Sequence, residues 1–185
     1  RKNSSHSVWC DHKQTSFNAV AELINAGHQE IAFLTGSMDS PTSIERLAGY
    51  KDALAQHSIA LNEKLIANGK WTPASGAEGV ETLLERGAKF SALVASNDDM
   101  AIGAMKALHE RGVAVPEQVS VIGFDDIAIA PYIVPALSSV KIPVTEMIQE
   151  IIGRLIFMLD GGDFSPPKTF SGKLIRRGSL IALSQ

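Results

Sequence analysis

The run Val119-Ser120-Val121-Ile122-Gly123-Phe124-Asp125-Asp126-Ile127-Ala128-Ile129-Ala130-Pro131 decides how this chain folds. Five of its first six residues are apolar or glycine, and no charge interrupts them. Such a run fits a strand buried on both faces, as in the interior of a parallel sheet. It stops abruptly at Asp125 and Asp126. Open α/β sheets bind ligands beyond the carboxyl ends of their strands. A buried strand therefore delivers two carboxylates to that edge. The spacing equally admits a plainer role, in which both aspartates cap a loop or open a helix.

Working back toward the N-terminus, the same alternation recurs. Ala92–Ala95 is a short apolar run that leads into Asn97-Asp98-Asp99 and a helix with Ala101, Ala104, Met105 and Leu108 on one face, closed by Gly112. Leu65-Ile66-Ala67 is a weaker strand. Ser75 and Glu78 have capping-box spacing, and their helix packs through Val80, Leu83 and Leu84. Ile31–Leu34 ends in Thr35-Gly36. The Ser40-Pro41-Thr42-Ser43 composition then starts a helix through His57, with Leu47, Tyr50 and Leu54 inward. Phe17, Val20, Ala21 and Ile24 share a face of a helix over Gln14–Ala26, with Gly27 as its terminator. Ser7–Asp11 is a short leading strand. Strand and helix alternating at this interval predict an α/β fold, a parallel sheet flanked by helices on both faces.

Beyond Asp126 the pattern changes. Pro131 and Pro135 mark an irregular segment, Leu137–Ile142 is a further strand, and Pro143 is placed for the N1 position of a helix over Val144–Leu159. That helix is apolar nearly all round (Met147, Ile148, Ile151, Ile152, Leu155, Ile156, Met158, Leu159), so it needs partners on several sides. Asp160–Asp163 is a turn, and Lys173–Arg177 a last strand. No internal repeat or low-complexity segment stands out.

At 185 residues the chain can bury one ordinary core, and 45% hydrophobic with 20% charged residues is normal for a globular domain. A net charge of −3 argues against direct nucleic-acid binding, which favours a basic surface. The single cysteine, Cys10, leaves no intrachain disulfide and agrees with a reducing, cytoplasmic setting. No apolar run reaches the length of a membrane span. The chain begins at Arg1, and Lys2–Ser5 has the composition of a linker, as expected of a piece of something longer.

Several polar groups should converge on the carboxyl edge of the sheet: the Gly36–Ser43 loop with Arg46, the Lys70-Trp71 loop, Asn97 with Asp98 and Asp99, and Asp125 with Asp126. Arg, Asn and Asp supply donors and acceptors for the vicinal hydroxyls of a sugar, and an aromatic such as Trp71 can cover the ring's apolar face. Arg46 and Asp125 are expected to reach those hydroxyls from opposite sides of the cleft floor. Other readings are a hard cation held by Asp98, Asp99, Asp125 and Asp126, or a carboxylate pair for glycoside hydrolysis. The first competes with ordinary placement of acids in a helix's first turn; for the second, the sequence does not mark which pair would act. Neither a phosphate loop, nor H-E-x-x-H, nor G-x-S-x-G is present. No cofactor is expected, and no enzyme activity.

The runs Gly27–Ala32, Arg46-Leu47-Ala48-Gly49-Tyr50, Ser96–Ala104 and Val119–Asp126 together resemble the lac/gal repressor family of bacterial transcription regulators. Pro135–Val140 matches its P-x-L-T-T-V run with serines for threonines, and Leu174–Ser179 its closing L-x-x-R-x-S. These motifs stand in family order and cover nearly the whole chain. The resemblance implies a periplasmic-binding-protein-like, Rossmann-like lobe: a linker and crossover strand over 1–11, the C-terminal lobe of a sugar-sensing domain over 12–142, a helix of the N-terminal lobe over 143–162, and the return crossover with a final strand over 163–185. It implies effector contacts from Arg46, Trp71, Asn97 and Asp125, with Phe124 and Gln14 beside them. It implies a sugar or β-glucoside effector, a homodimer through the Asn97–Leu108 helix and the Asp126–Pro135 segment, and operator DNA bound through an N-terminal domain absent from this chain. The family's D-N-x-x-G appears as Asp11-His12-Lys13-Gln14-Thr15, so that wall of the site differs. A periplasmic sugar-binding protein of a transporter would share the fold.

Overall fold

The computed structural model describes residues 7–162 and 166–183. The Lys2–Ser5 linker and Asp163, the last residue of the expected turn, lie outside the described residues. In chain order the elements are β1 (Val8–Cys10), α1 (His12–Asn25), β2 (Ile31–Thr35), α2 (Pro41–Gln56), β3 (Ile66–Asn68), α3 (Pro73–Glu85), β4 (Ala92–Ala95), α4 (Asp98–Glu110), β5 (Ser120–Phe124), β6 (Ser138–Lys141), α5 (Val144–Leu159), β7 (Lys168–Phe170) and β8 (Lys173–Ile175).

Six strands form one sheet in the order β3-β2-β4-β5-β6-β8. All neighbours are parallel except β6 and β8, which run antiparallel. The chain order reverses direction between β2 and β4, the place where such sheets open a ligand crevice. β1 and β7 pair in parallel as a separate two-stranded sheet, a pairing no local pattern announced.

β2, β4 and β5 are buried at every position, which is why their sequences are uncharged and mostly apolar. Alternate residues serve opposite faces. Phe33, Val94, Ile122 and Phe124 pack under α1 and α2 with Val20, Leu23, Tyr50 and Leu54. Leu34, Leu93 and Val121 pack under α3 and α4 with Val80, Leu83, Met100 and Leu108. Each such fully buried side chain stabilises by about 1.5–3 kcal/mol. Small residues let the helices of each pair approach. A Cβ on Gly103 would stand 1.8 Å from the Pro73 carbonyl oxygen, and one on Gly76 2.0 Å from that of Met100.

Gly27 and Gly112 follow α1 and α4 at φ 95° and 71°, as their helix-stopping positions require. Two local expectations are corrected. The capping box of α3 is Thr72 with Ser75, not Ser75 with Glu78; Ser75 is the N3 residue, because Pro73 takes the first helical position. Pro143 precedes α5 as its N-cap rather than its first residue. α5 buries none of its residues, and Ile148, Ile151, Ile152, Leu155 and Ile156 are all about half exposed.

Candidate functional site

Arg46 sits in the second turn of α2, which starts from the loop after β2. It is 3% exposed, and its guanidinium lies 4.3 Å from the centre of the Phe124 ring, the last residue of β5. One Nη donates to the carbonyl of Ser96, at the end of β4. The other donates to Asp125 Oδ1 at 3.3 Å. So one side chain from the β2 side ties together the ends of β4 and β5 across the switch point. Arg46 and Asp125 were expected on opposite sides of the floor; they are in contact, because Arg46 lies over the Phe124 ring and Asp125 directly follows Phe124. Burial lowers the pKa of Arg46, and Asp125 opposes that shift. Its Nε is buried and has no partner among the described residues.

Asp125 and Asp126 have φ of 98° and 51°, so the chain leaves the sheet through a left-handed turn. The turn sends their side chains to different places. Asp125 is 45% exposed beside Arg46. Asp126 is largely buried, pairs with Arg177 at 2.7 Å, and its amide donates to Ser139 Oγ. Arg177 also donates to the Leu137 carbonyl. Asp126 therefore fastens the tail to the β5–β6 turn and faces away from Arg46.

Trp71 follows β3 in the left-handed region, φ 66°. Its indole lies against Gly36, where a Cβ would come within 2.2 Å of Cζ2. Glycine at position 36 is what lets the ring cover the β2–α2 loop. Asn97 is the N-cap of α4: its Oδ1 accepts from the Met100 amide at 3.0 Å, while Nδ2 donates to the Trp71 carbonyl at 3.0 Å. It thus anchors both the helix and the tryptophan loop. Gln14 is exposed and donates to Asn18, one turn along α1. The structure brings Arg46, Phe124 and Asp125 into one cluster and ties Asn97 to Trp71, while the Gln14 side chain bonds Asn18 on its own helix.

Two residues take roles that the sequence reading did not give them. Asp98 is wholly buried, accepting from Ser139 Oγ at 2.6 Å and the Ile127 amide at 2.9 Å. Burial raises its pKa to about 6, against the lowering pull of those two bonds. It clips α4 to the β5–β6 connection, and Gly123 is close enough that a Cβ there would meet its oxygen at 2.1 Å. Nothing local signals this, since an acid in a first helical turn is commonplace. His12, which stands where the D-N-x-x-G pattern has asparagine, places Nδ1 3.5 Å from Arg46 Nη2.

The cation reading loses its geometry. Asp98, Asp125 and Asp126 turn to Ser139, Arg46 and Arg177 respectively, and among the described residues no three His, Cys, Asp or Glu side chains gather as ligands would. One carboxylate is also out of reach of a glycosidic bond. Asp98, whose raised pKa an acid catalyst would need, has no exposed surface.

Helices on both faces of a parallel sheet, with polar groups gathered at its carboxyl edge, define a lobe of the periplasmic-binding-protein class. Residues 20–180 match the periplasmic binding protein-like domain. The chain belongs to the LacI family of transcription regulators, as its effector-binding part. It is 97% identical over its full 185 residues to the HTH-type transcriptional regulator AscG of Escherichia coli K12, of which it covers 55%. The crystal structure of that repressor superposes with a TM-score of 0.94 over 98% of this chain and 66% of that one. A complex of the transcriptional regulator CelR with cellobiose is 31% identical, with a TM-score of 0.87 over 96% of this chain and 54% of that one. A lac repressor dimer bound to operator and the anti-inducer ONPF is 29% identical, with a TM-score of 0.86 over 95% of this chain and 61% of that one. The chain thus spans about half the length of the curated relatives it matches. A transporter's periplasmic binding protein is not favoured, because these relatives are transcription regulators.

Proposed function

We propose that this chain forms the C-terminal lobe of the sensor of a cytoplasmic repressor, and that its effector is a β-glucoside of the arbutin, salicin or cellobiose kind. The observation that carries the reading is the Arg46–Asp125 pair on the Phe124 ring, half open to solvent at the switch point. A fixed donor fork beside an exposed acceptor matches the alternating donor and acceptor demands of vicinal hydroxyls. Trp71 lies along the ring's apolar face, Asn97 holds the tryptophan loop in place, and Gln14 lines the rim. The CelR–cellobiose complex supports the ligand class.

α5 then docks on the N-terminal lobe, which accounts for an apolar helix without a buried residue. Effector held between the lobes shifts their arrangement by its differential affinity for the two arrangements. The homodimer forms through α4 and the Tyr132–Val134 segment. There an apolar groove of about 420 Å³, lined by Ile102, Met105, Val115, Ile133 and Val134, lies open. Operator DNA is bound by a helix-turn-helix outside this chain. Calorimetry of the full-length protein with arbutin, salicin and cellobiose tests the reading. Binding of at least one, lost in Arg46→Ala, is expected. Binding of none, or an undiminished affinity in Arg46→Ala, overturns it.

A further inference from the structure

We propose that His12 is a positioning residue of the effector site, its Nδ1 lone pair holding the Arg46 guanidinium in place at the Nη2 that it shares with Asp125. This rests on the reading of Arg46 as an effector contact. A guanidinium has five donors and no acceptor. His12 Nδ1, 3.5 Å from Nη2, can therefore only accept, which fixes the neutral imidazole as the Nε2–H tautomer. The same Nη2 donates to Asp125 Oδ1 at 3.3 Å. Both distances exceed the roughly 2.7–3.2 Å of an ordinary N–H hydrogen bond. Nη2 is thus shared between two acceptors and tightly gripped by neither, while the other Nη is anchored on the Ser96 carbonyl. His12 and Asp125 together set the rotation of the fork about that anchor.

The imidazole can do this because its backbone is pinned. His12 is the first residue of α1, whose N-cap Asp11 accepts from the Gln14 amide at 2.8 Å. Asp11 donates its own amide to the Phe170 carbonyl, and Thr15 accepts from the Gly172 amide. The start of α1 is thereby tied to the β7–β8 segment. α1 also lies hard against α2. A Cβ on Gly49 would stand 2.1 Å from the Lys13 carbonyl oxygen, so the two helices cannot slide without collision. The separation between position 12 and Arg46 is set by the fold, and the side chain at position 12 decides whether an acceptor stands there.

The test uses full-length protein. Asparagine can put its amide oxygen where Nδ1 stands; leucine fills similar space without an acceptor. With salicin and cellobiose as probes, His12→Asn should bind within about threefold of wild type. His12→Leu should lose about tenfold or more at an unchanged melting temperature, as expected for losing a hydrogen bond to a charged group. Wild-type affinity in His12→Leu, or equal losses in both variants, would overturn the proposal. Ring-¹⁵N-histidine NMR supplies a readout that needs no effector. The His12 Nδ1 signal, assigned by its loss in His12→Asn, should be that of an unprotonated nitrogen at neutral pH and should change in Arg46→Ala. A protonated Nδ1 sinks the idea. If neither sugar binds wild type, the β-glucoside reading fails, and the tautomer still decides the role of His12.

Discussion

Asp125 and Asp126 are neighbours in sequence with separate surroundings, and their substitutions should separate as well. Asp125→Ala should weaken effector binding by about tenfold to a hundredfold, the scale of one or two charge-assisted bonds, with little change in melting temperature. Asp125→Asn tolerates the same positive φ and distinguishes loss of charge from backbone strain. Asp126→Ala breaks an ion pair that is mostly buried and strands Arg177, costing about 3 kcal/mol and lowering the melting temperature. Melting and calorimetry on both variants check the split; unfolding of both would refute the ligand role of Asp125. Asp98 gives a pH signature. Its folded pKa of about 6 lies above the ordinary carboxylate value near 3.8, so between those values the folded chain holds more protons than the unfolded one. Stability from this group is greatest below about pH 4 and declines as pH rises to about 6. Denaturant melts across that range should show the decline in wild type and not in Asp98→Asn.

Among the elements, α3 and α4 form the tightest backbone contact on their face of the sheet. Gly103→Val would drive two methyls and a Cβ into the Pro73 carbonyl, where even the Cβ has only 1.8 Å. Overpacking of this kind costs about 1–3 kcal/mol, and more where backbone must move. Because α4 carries Asn97 at its N-cap, the shift should also disturb the Trp71 loop; tryptophan fluorescence would report it. Asn97→Ala removes the cap itself, at about 1 kcal/mol, together with the tether on Trp71. An unaltered Trp71 emission in that variant would show that the loop is held by other means.

At the scale of the molecule, α5 and the α4 groove leave apolar surface uncovered among the described residues. Tyr132 and Val134 are 78% and 96% exposed beside the α4 groove. Val134→Glu in the full-length protein should shift sedimentation from dimer to monomer, since it places a charge in the centre of the proposed contact; an intact dimer would rule that contact out. Residues 1–185 carry a net charge of −3 and should give no operator-specific retardation in a gel shift at moderate salt.

The sheet was legible in the sequence because β2, β4 and β5 are buried on both faces, and double burial leaves an uncharged, mostly apolar run that needs no partner to be seen. Helix ends were legible wherever a single residue type is forced, as at Gly27 and Gly112. Strand-end placement likewise brought Arg46, Trp71, Asn97 and Asp125 to one edge. What tertiary structure alone decided is which of these groups touch. A left-handed turn sends Asp125 to Arg46 and Asp126 to Arg177, so one residue of sequence separates a half-exposed carboxylate from a largely buried one. Asp98 meets Ser139, and His12 meets Arg46, across 41 and 34 residues of sequence. Hydrogen bonds between distant segments depend on side-chain directions set by packing. Local propensity carries no record of them.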